Sequence, residues 1–226
     1  MRTLAILAVT GLVMIGPRLV LGEGVSGVGP LTPGDSQWHS LLPADTHLLI
    51  ETGAIEQFLD ALDGIPPDWA AIYGPGHHDP GLDERLFNLN RDRDAKREGE
   101  AALAWRVTFL WSGELSDYDP RTGGFRVAVG PRFIPTRWGI VRFKPEELPS
   151  NLMAIPNPGQ RKILQRRIGR GRPVEIDVAL TGKLISQESL IYDFSHDAEG
   201  RGVIMPVVRI ERINFVTLSC KLEKCH

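Results

Sequence analysis

The sequence predicts an α+β protein, mostly β, in which a short helical N-terminal region precedes a β-rich domain. Two patterns carry this reading. Leu103, Trp105, Val107, Phe109 and Trp111 alternate with Ala104, Arg106, Thr108 and Leu110, the period-two signature of a half-buried strand. Further upstream, Ile55, Phe58, Leu59 and Leu62 recur at the three-and-four spacing that lines one face of a helix.

Taken in order, residues 1–22 read as an export signal. Arg2 precedes an uncharged apolar run from Leu4 to Ile15, Gly16 and Pro17 break it, and Val20-Leu21-Gly22 offers a cleavage site before Glu23. The run is shorter than the ~20 apolar residues a membrane span needs. Residues 23–50 read as an extended leader, with Gly24, Gly27, Gly29, Pro30, Pro33 and Gly34 in its first part. Residues 51–100 read as the helical region. Thr52 can cap its first helix, and Gly64, Pro66 and Pro67 end it. A Gly/Pro loop follows, then Leu82, Leu86 and Leu89 at helical spacing. The run from Arg91 to Glu100, nearly all charged, reads as a solvated helix end or linker.

Residues 101–218 form the β-rich domain. After the first strand, Asp119 to Gly124 is a turn and Phe125, Val127 and Val129 start a second strand. Trp138 to Lys144 reads as a third. Asn157-Pro158-Gly159-Gln160 opens a helix, with Asn as cap and Pro at the first position. Ile163, Leu164 and Ile168 would form its apolar stripe. Val174, Ile176, Val178 and Leu180 mark a fourth strand, and Val203 to Val216 a fifth, whose apolar phase shifts between Ile210 and Ile213 as a bulge requires. Strand, strand, strand, helix, strand, strand resembles the element order of an OB-fold, which implies an OB-like five-stranded barrel with one helix. The alternative is another β-rich sheet with a packed helix. Residues 219–226 form a C-terminal tail with a Cys pair.

The 226-residue chain is 42% hydrophobic and 24% charged, enough to bury a core. Its net charge is −2, and losing Arg2 and Arg18 with the signal would take it to −4. That argues against bulk attraction to nucleic acid, so no nucleic-acid partner is expected. No transmembrane anchor is expected after signal cleavage. No resident cofactor is called for.

Three groups before the tail could carry chemistry. In a barrel, the long connection from Gly182 to Gly202 would border the ligand face, which makes Asp193, Ser195, His196 and Asp197 candidate ligand-binding residues. Arg161, Lys162, Arg166, Arg167, Arg170 and Arg172 occur without an acid between Gln160 and Val174. Arg166 and Arg167 are taken from that run as candidates for binding an anionic ligand or acidic protein. His77, His78 and Asp79 sit in a Gly/Pro loop and offer ligand types suited to a metal.

The tail reads Cys220-Lys221-Leu222-Glu223-Lys224-Cys225-His226 and holds both cysteines of the chain. In an exported protein a Cys220–Cys225 disulfide is the first reading, closing a small loop and stabilising by about 2 kcal/mol. The tail also resembles an expanded form of the Cys-x-x-Cys-His haem-attachment motif found in some multihaem c-type cytochromes.

These residues favour an exported, periplasmic or secreted, non-catalytic binding or interaction module over an enzyme. No Gly-x-Ser-x-Gly elbow, His-Glu-x-x-His helix or phosphate-binding loop is present. The alternatives are a metal-assisted hydrolase using His77, His78 and Asp79, and a monohaem electron carrier through Cys220, Cys225 and His226.

Overall fold

A computed structural model describes residues 25–34, 36–74, 79–195 and 200–217. The elements run β1 (Val28–Thr32), β2 (Thr46–Leu48), α1 (Thr52–Asp63), α2 (Trp69–Tyr73), α3 (Leu82–Arg97), β3 (Arg106–Asp119) and β4 (Gly124–Gly130). Then come β5 (Ile134–Thr136), β6 (Gly139–Val141), β7 (Lys144–Pro145), β8 (Met153–Ile155), α4 (Pro158–Ile168), β9 (Val174–Leu184), β10 (Leu190–Phe194) and β11 (Gly202–Thr217). The protein is β-rich with few helices, as the alternation predicts.

Six strands close a barrel in the order β1-β8-β4-β3-β9-β11 and back to β1. The β8-β4-β3-β9-β11 path is antiparallel throughout. β1 pairs in parallel with both β8 and β11. The expectation of five strands is thereby corrected to six: an early strand is inserted between the third and fifth members of the expected barrel. Its inward faces bring Phe109, Leu115, Phe125, Ile176, Val178, Leu180 and Phe215 into one core, each nearly or wholly excluded from solvent. β11 changes phase where the sequence requires it. Its register against β9 shifts between Ile210 and Arg212, turning Ile210 and Ile213 to the same side while Glu211 and Arg212 face water.

Three other expectations are revised. Trp138 to Lys144 is not the third barrel strand; it is cut into β6 and β7, which pair in parallel with β11, and β8 takes the barrel position. The leader is not merely extended. Leu31 anchors β1, and a 3-10 turn at Ser36–Leu41 lays Trp38 against Ala179 and Val216 on the outer face of the sheet, 8% exposed. A hydroxyl chain crosses the same sheet, Thr46 to Thr108 at 3.0 Å and Thr108 to Thr181 at 2.7 Å, satisfying the buried Thr108 and Thr181. The connection from Gly182 to Gly202 is not all loop, because β10 pairs antiparallel with the first part of β11.

The helical region behaves as the spacing predicts at α1, where Ile55, Phe58, Leu59 and Leu62 are all buried. Gly64, at φ 76°, ends it with its N–H on the Asp60 carbonyl. α3 departs from the solvated reading of Arg91–Glu100. Its buried face runs Leu82, Leu86 and then Arg97, which is 1% exposed.

Candidate functional site: a cationic helix face on the barrel

α4 forms because Asn157 accepts the Gln160 N–H at 2.9 Å and Pro158 occupies the first turn, where no N–H is needed. Leu164 is the residue it buries, and the helix packs on β3 and β9. Ile163 was expected on the inner stripe. At 46% exposure it faces water, because the barrel contact is narrow and centres on Leu164 with Ile168 alongside. Lys162 and Arg166, one turn apart, flank Ile163 on this exposed face. The Arg166 Nε–H donates to the Lys162 carbonyl at 3.3 Å, which holds its guanidinium along the helix. Past the helix, Gly171 at φ 67° turns the chain, and Arg170 and Arg172 are exposed on either side of it. The Arg161 guanidinium lies over Gly123 of the β3–β4 turn. Among the described residues, no acid lies within ion-pairing distance of Arg161, Lys162, Arg166, Arg170 or Arg172. Other cations on the molecule are paired: Arg106 binds Asp45 and Glu211, Arg209 binds Glu146, and Arg132 binds Asp177.

The other expected ligand residues lie elsewhere. Asp193 stands on β10 opposite Val203, and its Oδ1 accepts the Phe194 N–H at 2.8 Å. Ser195 is 5% exposed, with its N–H donating to the Tyr73 hydroxyl at 3.0 Å and to the Arg201 carbonyl at 3.1 Å. β10 packs on α3 and β11, whereas α4 packs on β3 and β9, so the two expected halves of a ligand face have different neighbours. His196 and Asp197 lie outside the described residues, as do His77, His78, Cys220, Cys225 and His226.

Asp79 is described. Its Oδ1 accepts the Gly81 N–H at 3.1 Å and its Oδ2 pairs with Arg85 at 2.5 Å. The Gly81 N–H and then Arg85 hold its carboxyl below the ordinary value. Both oxygens thus close the turn into α3. Among the described residues no three His, Cys, Asp or Glu side chains gather to hold a metal ion.

One constellation was not anticipated. Asp63 at the end of α1 is buried against Arg97 of α3, Nε to Oδ1 2.8 Å. Arg97 also reaches Asp94 at 2.9 Å and the Ser189 hydroxyl at 2.8 Å. The Tyr192 hydroxyl donates to Asp63, and Arg93 pairs with the same carboxylate at 3.3 Å. Arg93 is held between the Trp138 and Tyr192 rings, 5.7 and 5.2 Å from their centroids. Burial, followed by the Asp63 charge, pushes the Tyr192 hydroxyl well above its ordinary range, and burial raises Asp94. The charges of this cluster are consumed internally, which makes it a clasp holding the helices on β10. The sequence did carry a signal: Asn90, Arg93 and Arg97 continue the Leu82–Leu86 face at helical spacing, where apolar residues would be expected.

Fold and site together define a six-stranded barrel with outer strands and few helices, one of them, α4, cationic on its exposed face. No protein-family model, curated protein or solved structure matches this chain.

Proposed function

We propose that this chain is an exported, non-catalytic binding module whose α4 face docks an acidic surface of a partner protein. The observation that carries this reading is the exposed pair Lys162 and Arg166 beside Ile163, followed by exposed Arg170 and Arg172 just past the helix, with no acid among the described residues paired to any of them. Arg positions beside an exposed aliphatic residue match the composition of protein interfaces: charge fixes register and steers encounter, while the apolar side chain is desolvated. A polyanionic glycan would use the charges and leave Ile163 idle, so Ile163 favours a protein partner. Export is supported by residues 1–22 alone.

The test is isothermal titration of the protein with a poly-glutamate peptide and with heparin at low and physiological salt. Poly-glutamate should bind, weaken as salt rises, and lose about tenfold or more in affinity for Lys162→Glu/Arg166→Glu. Arg91→Glu on α3 should leave binding unchanged. Equal binding by the α4 and α3 variants would overturn the reading. Tighter binding of heparin than of poly-glutamate, unaffected by Ile163→Ser, would replace the protein partner with a polyanionic glycan. Expression with residues 1–22 in a bacterial host should give an exported product beginning at Glu23.

A further inference from the structure

We infer that the cleft beside the β3–β4 hairpin binds a small zwitterion, an amino acid or short peptide presenting both an ammonium and a carboxylate. The cleft has a volume of about 690 Å³, within the ~300–1,000 Å³ range of ligand pockets. It lies between the end of β3, the hairpin turn, β4 and the segment leading into β8.

Its chemistry follows from an irregular ladder. The β3–β4 register shifts between Leu115 and Tyr118, so Ser116 and Asp117 together stand opposite Arg126. A bulge of this kind re-aims the side chains it carries. The Ser116 hydroxyl donates to the Arg126 carbonyl at 3.3 Å and pins the bulge. Asp117 and Arg126 thus meet across the ladder with both side chains exposed, yet they form no ion pair. Neither side chain has a hydrogen bond among the described residues. Elsewhere on the barrel charged side chains are paired, as Arg106 is with Asp45 and Arg132 with Asp177.

The other charged pair in the cleft is committed. Asp119 accepts the Arg121 N–H at 2.9 Å and lies 3.5 Å from its guanidinium. One anion and one cation therefore remain without a partner on the same cleft. An ammonium at Asp117 and a carboxylate across the Arg126 fork satisfy both without net charge. Val28, Leu152 and Met153 supply an apolar wall for the side chain of the ligand.

The test is an NMR titration of ¹⁵N-labelled protein with L-leucine and leucyl-glycine, which separate the free amino acid from the peptide. N-acetyl-leucine lacks the ammonium and leucinamide lacks the carboxylate. At least one intact zwitterion should give saturable shifts at the Asp117, Arg126 and Asn151 amides, and each charge-deleted probe should bind about tenfold more weakly. Arg126→Gln should bind the zwitterion as weakly as the native protein binds leucinamide. Asp117→Asn should do the same relative to N-acetyl-leucine. Both positions are exposed, and an unchanged melting temperature confirms that the variants fold. Absence of saturable shifts, equal binding of all probes, or tighter binding of maltose at the same amides would overturn the proposal.

Discussion

The Asn90 carboxamide makes two bonds to one residue: its Nδ2 donates to the Tyr192 carbonyl at 2.8 Å and its Oδ1 accepts the Tyr192 N–H at 2.8 Å. A side chain of α3 thereby imitates a neighbouring strand at the edge of β10. An open edge offers backbone groups to any passing strand, and here those of Tyr192 are already paired.

Asn90→Ala leaves the Tyr192 backbone groups without these partners and should cost about 1–3 kcal/mol. Asn90→Asp keeps the acceptor but sets a carboxylate oxygen against the Tyr192 carbonyl, so it should cost at least as much as Asn90→Ala. Urea denaturation checks the order. Size-exclusion chromatography of Asn90→Ala should also show association through the uncovered edge of β10.

The clasp under α3 should respond very differently to one substitution and to two. Asp63→Ala leaves the buried Arg97 charge without its principal partner and should cost about 3–5 kcal/mol. Adding Arg97→Met removes the orphaned charge and should recover most of that loss. A double-mutant cycle by chemical denaturation measures it; losses that simply add would show that Arg97 is solvated in Asp63→Ala.

Trp38 tests whether the leader belongs to the folded body. It covers Ala179 and Val216 on the outside of the sheet, so Trp38→Ala should cost about 3–5 kcal/mol. A loose leader would tolerate it with no change in the denaturation midpoint.

Acidification should destabilise the fold. Arg106 lowers Asp45, the Gly81 N–H lowers Asp79, the Arg121 N–H lowers Asp119 and Arg209 lowers Glu146. A carboxyl lowered in the folded state contributes stability above its unfolded value, and that contribution disappears as pH falls through the folded one. Asp94, raised mainly by burial, acts in the opposite sense and gives back stability on protonation. Four lowered groups oppose one raised group, so the urea midpoint should fall as pH drops below the ordinary values of 3.8 and 4.5. Added salt should flatten the profile, because the lowered groups lie at the surface.

What could be read from the sequence was whatever is set locally. The stripe of α1, the Asn157 cap of α4 and the phase change after Ile210 each lie within a few residues, and each is where the spacing puts it. β1 and β8 escaped because three to five residues carry almost no periodicity, and their parallel partners are fixed by distant chain. β10 was hidden in a connection rich in polar residues. Arg97 was misjudged because a charged run is normally solvated; only the position of Asp63 at the foot of α1 makes its burial tolerable. On the functional side, the cations of α4 were legible as a run without acids. Their exposure beside Ile163 was not, since it depends on how narrowly α4 meets the barrel.

The insertion of β1 has a consequence for the order in which the molecule is built. Leu31 pairs with Phe215, so the first barrel strand to leave the ribosome has its last neighbour at the far end of the chain. The ring cannot shut until nearly all of it has been made, and the long loop closed by that contact is the kind that slows folding. Until then β1 can have β8 beside it but not β11.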